Sequence, residues 1–109
     1  MSSSFSDVLR TPPHIITLRF GIMLVAQYEA KKERLARGRR EGWDVSSEEA
    51  FLAAREWQYQ QALEAIKEAP GENLAQALTG VNLGRALLRR LRAAGLADKI
   101  AQARRVNGS

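Results

Sequence analysis

Arg85, Arg89 and Arg92 are spaced four and three residues apart, so on a helix they share one face, with Arg90 to its side. A guanidinium is a planar fork that matches phosphate oxygens, and a strip of them neutralises a polyanion's backbone without reading bases. Lys99, Arg104 and Arg105 carry positive charge onward, and Arg37, Arg39 and Arg40 form a second basic group upstream. The chemistry this suggests is DNA- or RNA-backbone binding, with Arg85, Arg89, Arg90 and Arg92 as principal candidates and Arg37, Arg39 and Arg40 in support. The competing reading is a solvated arginine face on an ordinary bundle helix. No aromatic residue lies between Leu83 and Arg105, so base stacking is not expected from that stretch.

Catalytic patterns are scarce. His14 is the single histidine and cysteine is absent, which removes disulfides, thiolate metal sites and thiol nucleophiles together. There is no glycine-rich phosphate loop and no Ser/His/Asp spacing. Glu48 and Glu49 are adjacent carboxylates, but Ser46 with Glu49 three positions later reads as a capping box. Glu64 and Glu68 share a helix face with Lys67 between them, which suits a solvent face better than a cation. The expectation is a protein without catalysis, cofactor or metal.

The charge is segregated along the 109 residues. Residues 1–30 are neutral, 31–44 carry +3, 45–69 carry −3 and 70–109 carry +5. Thirteen of the 17 basic residues are arginine. Two basic zones around an acidic one suit a nucleic acid or an electrostatic fit between subunits.

These residues must be positioned by a scaffold, and the stretch His14–Leu35 is the densest in large apolar side chains. As a helix it spreads Ile15, Ile16, Leu18, Phe20, Ile22, Met23, Leu24, Val25 and Tyr28 around the whole circumference. Such a helix wants neighbours on every side, from the rest of the chain or from a second copy. Arg19 interrupts the run, which is too short for a membrane span of about 20 residues. Thr11 is placed to cap this helix and Pro12 to start it, with Gly38 and Gly42 as candidate ends. A second helix is predicted from Ser46 to Ala69, stopped by Pro70-Gly71, with Phe51, Leu52, Tyr59, Ala62, Leu63 and Ile66 on one stripe. Trp57 lies off that stripe; it either anchors a partner or covers a second side of the core. Beyond Glu72 the apolar stripe shifts phase across Thr79-Gly80-Val81-Asn82, which predicts a break, a helix from Leu83 to Ala94 capped by Asn82 and ended by Gly95, and a last helix with Asp98 as its cap carrying Ile100, Ala101 and Val106.

Two partial resemblances attach to these segments. Thr17-Leu18-Arg19-Phe20 resembles the reading strand of ribbon-helix-helix repressors, which implies paired strands in the major groove. It departs from that family in the long interval before the next helix, at Ser46. LAQAL followed by LLRRLRAAGL resembles the recognition-helix region of winged-helix regulators, which implies a helix-turn-helix. There Gly80 and Arg85 fall where the pattern wants apolar side chains, and no strand-rich wing follows Leu96.

The expected architecture is all-α: a small oligomeric bundle of four to five helices over residues 12–106, between a flexible terminus at 1–11 and a frayed end at 107–109. The absence of a signal-peptide pattern in MSSSFSDVLR favours the cytoplasm. Nucleic acid, a second copy or another protein are the expected partners, and a membrane is not.

Overall fold

The computed structural model describes residues 11–108, which form five helices and no strand. Most of the expected flexible terminus lies outside the described residues. Helix α1, Pro13–Glu41, opens on Pro12-Pro13, whose fixed φ suits a first turn and whose missing N–H groups would have no helical partner there. The cap position is held by Pro12 rather than Thr11. Ile15, Leu18, Ile22, Val25, Ala26 and Glu29 are buried, at the three- and four-residue steps of one helix face. That spacing overturns the ribbon alternative for Ile15–Phe20.

Burying a side chain such as Ile15 or Ile22 contributes about 1.5–3 kcal/mol. It is confined to one side of α1. Opposite, Phe20 is 70% exposed and Met23 is also open, so the described residues do not surround the first helix on every flank.

Helix α2, Ser46–Glu68, returns antiparallel along α1. The close approach is at Gly21, where an added Cβ would meet the Ala62 Cβ at 3.6 Å. Further along, the Tyr28 and Tyr59 rings stack with centroids 3.9 Å apart, and the Tyr59 hydroxyl donates to the buried Glu29 carboxylate. Tyr59, Ala62, Leu63 and Ile66 are buried as expected, while Phe51 and Leu52 are half-buried. Trp57 is 71% exposed, which overturns its reading as a second core position.

The capping box at Ser46 does not form. Asp44 takes over, its Oδ1 accepting from the Ser46 amide at 3.0 Å and the Ser46 hydroxyl at 2.6 Å. The two glutamates turn instead to α1, where Arg34 donates to Glu48 at 2.7 Å and Arg39 to Glu49 at 2.9 Å. A guanidinium donor makes a stronger bond to a carboxylate than a neutral amide does.

Pro70 ends the hairpin, and three short helices follow: α3, Gly71–Thr79; α4, Arg85–Ala93; and α5, Ala97–Gly108. The break expected near Gly80 is present, but α4 starts at Arg85 behind Gly84, and Asn82 does not cap it. Gly95, at φ 83°, closes α4 in the left-handed region that glycine adopts without a Cβ penalty. The Leu96 amide then reaches back to the Leu91 carbonyl at 3.0 Å, a Schellman turn that buries Leu96.

Helices α3 and α4 both pack on α1, and α5 packs on α3 and α4. Leu74, Ala77, Leu78, Leu91, Leu96, Ile100 and Ala103 complete the core, with Ala101 and Val106 on the open side of α5. Arg19 joins α1 to the end of α3, donating from Nε to the Ala77 carbonyl at 3.1 Å and from Nη2 to the Gln76 carbonyl at 3.2 Å. No helix among the described residues is long and apolar enough to cross a membrane.

Candidate nucleic-acid interface

The two basic zones meet where the C-terminal half of α1 runs beside α4. Glu33 of α1 is the junction: its Oε1 accepts from the Arg89 Nη2 at 3.2 Å, and its Oε2 lies 3.8 Å from the Arg90 Nε. Around it, Ala30, Lys31, Arg34, Arg37, Trp43 and Arg90 line an open cleft of about 400 Å³.

A second Schellman turn puts Trp43 there. Gly42 takes the left-handed conformation at φ 76°, and the Trp43 amide folds back onto the Gly38 carbonyl at 2.8 Å. The indole therefore lies along the last turns of α1, where Arg34 and Arg37 sit over the ring at 5.7 and 5.3 Å from its centroid. Gly38 makes room for this return: a Cβ there would stand 3.3 Å from Trp43 Cε3 and 2.4 Å from Val45 Cγ1.

The cleft's cations are unequally committed. Arg34 is paired with Glu48, and Arg37 with Glu41 at 3.2 Å. Lys31 lies over the Phe51 ring at 5.2 Å and pairs with no carboxylate among the described residues. Arg90 is half-buried, and its Nε is sealed from solvent without a hydrogen-bond acceptor.

Of the other sequence candidates, Arg39 is held by Glu49, and Arg89 by Glu33. Arg40, Arg85 and Arg92 are exposed and have no carboxylate partner among the described residues. Arg85, Arg89 and Arg92 keep the shared outer face of α4 that their spacing dictates, while Arg90 turns towards α1. Arg92 and Arg104 also line a small hollow between α4 and α5. Trp57 projects from α2 away from α1, apart from this basic region.

Sequence reasoning missed Lys31, Arg34 and Trp43. The signal for Trp43 was its position directly after Gly42, where a Schellman turn brings the next side chain back onto the helix. The stretch around α4 lacks aromatic residues, but the fold supplies one from the α1–α2 turn.

No family model, curated protein or solved structure matches this chain.

Proposed function

We propose that the protein binds nucleic-acid backbone, without catalysing a reaction, through the basic face formed by the end of α1 and by α4. One observation carries this reading: side chains from both basic zones line a single cleft, Lys31, Arg34 and Arg37 from one and Arg90 from the other. The exposed Arg40, Arg85, Arg89 and Arg92 extend the charge beyond the cleft, at positions open to phosphates. Arg37 and Arg39 support the face while remaining paired with Glu41 and Glu49. Fluorescence anisotropy with a labelled oligonucleotide tests it. The Arg89→Glu, Arg92→Glu double variant is expected to lose at least about tenfold in affinity; unchanged binding in that variant contradicts the assignment.

A second reading, a structural or adaptor subunit of a homo-oligomer or larger assembly, is favoured by Trp57. This large side chain stands open on a helix whose packing within the chain is mainly against α1. Exposed tryptophans are overrepresented among residues that dominate protein interfaces. Sedimentation of the intact chain and of Trp57→Ala tests it: an assembly that the variant loses supports this role, and a monomer at micromolar concentration counts against self-association.

A further inference from the structure

We propose that the cleft between α1 and α4 selects single-stranded nucleic acid, stacking one base on Trp43 and seating the adjoining phosphate against Arg90. The inference rests on the phosphate-binding reading above and names the ligand class for that surface.

Trp43 is 41% exposed although Arg34 and Arg37 lie over its ring. An arginine–tryptophan stack suits a nucleobase, which offers a π-face whatever its sequence. At the other side of the cleft, Arg90 holds a buried Nε whose nearest carboxylate oxygen, on Glu33, is 3.8 Å away, beyond hydrogen-bonding distance. That nitrogen is sealed from solvent, so a phosphate meets the charge of the guanidinium rather than its Nε, together with the charges of Lys31, Arg34 and Arg37 that line the same cleft. The space of about 400 Å³ is within the range of pockets that hold small ligands. A cleft of that size suits one splayed nucleotide. In a duplex the bases are paired and stacked inward, and reaching Trp43 would cost their unstacking.

The test uses the full chain with Trp57→Phe, which leaves Trp43 as the only indole reporter. It is titrated with oligo(dT), with oligo(dT) annealed to oligo(dA), and with inorganic polyphosphate, which has charge but no bases. The single strand is expected to change Trp43 emission and to bind at least about tenfold more tightly than the duplex. Polyphosphate is expected to bind without that stacking signature. Trp43→Leu is expected to weaken oligo(dT) about tenfold while leaving polyphosphate affinity unchanged. If that substitution disturbs the turn, as loss of helical circular dichroism would show, the emission titration of the Trp57→Phe chain decides alone. Equal binding of all three ligands with unmoved emission overturns base stacking and leaves phosphate binding intact. No binding of any of them at low salt overturns both.

Discussion

Glu33 accepts a hydrogen bond from Arg89 at 3.2 Å, which places a carboxylate of α1 among the arginines of the proposed phosphate-binding face. A bound phosphate must compete with that carboxylate. Glu33→Gln is therefore expected to raise nucleic-acid affinity about three- to tenfold at low salt. Both partners are well exposed, so the change in thermal stability should stay within about 0.5 kcal/mol. Anisotropy and a melting curve on the same sample check both halves; reduced affinity in the variant contradicts the proposed competition.

The buried Tyr59–Glu29 pair sets a second expectation. Tyr59→Phe preserves the ring stacked on Tyr28 but leaves the Glu29 carboxylate, among the described residues, with only Lys32, at 3.4 Å. Losing a hydrogen bond to a buried charged group costs about 1–3 kcal/mol, measurable by chemical denaturation. Burial, then the hydrogen bond and the charge of Glu29, push the Tyr59 phenol above its ordinary range. The stability linked to its proton is thus complete below about pH 10 and is lost as pH rises through the raised folded value. The Phe variant should show a smaller alkaline decline.

Arg19 and Gly80 should behave as one unit. Arg19 donates to the Ala77 and Gln76 carbonyls at the end of α3, where a cation also complements the helix dipole, and Arg19→Leu should cost about 1 kcal/mol. A Cβ on Gly80 would lie 2.4 Å from the Arg19 Cζ. The Gly80 φ of −92° suits any residue. Gly80→Ala therefore acts by expelling the guanidinium. It should be costly in the native chain and nearly neutral in Arg19→Leu; full additivity in a double-mutant cycle contradicts this coupling.

Much of the fold was legible in the sequence because its punctuation is local. Pro12-Pro13, Gly42, Pro70 and Gly95 each stand where backbone preference alone starts or stops a helix. The phase shift near Gly80 likewise marked a real break. The site was less legible. Arg34 and Trp43 were missed because their meeting depends on a chain reversal that periodicity does not register. The apparent capping box gave way to partners outside it, Asp44 for Ser46 and Arg39 of α1 for Glu49, a competition invisible within a four-residue pattern. The apolar circumference of α1 did not reveal which side its neighbours would cover, and Phe20 and Met23 stayed on the open one.

Acid should loosen the α1–α2 hairpin. Glu48 is held below the usual carboxylate range by its own backbone N–H and then by Arg34, and Asp44 by the Ser46 hydroxyl and amide. Lowered folded values mean that the linked stability is present above the ordinary carboxylate range, about pH 4. It is lost as pH falls through the folded values. Melting temperatures followed downward from about pH 6 should hold and then fall below about pH 4, with a shallower fall in Glu48→Gln. An identical acid profile in that variant would remove Glu48 from the explanation.

The salt dependence of oligonucleotide binding tests the central claim most directly. Neutralising four or more phosphates of a single strand predicts a log–log slope of affinity against salt of about −3 or steeper, made shallower in the Arg89→Glu, Arg92→Glu variant. A flat dependence, or a steep one that the variant leaves untouched, contradicts phosphate binding by this face.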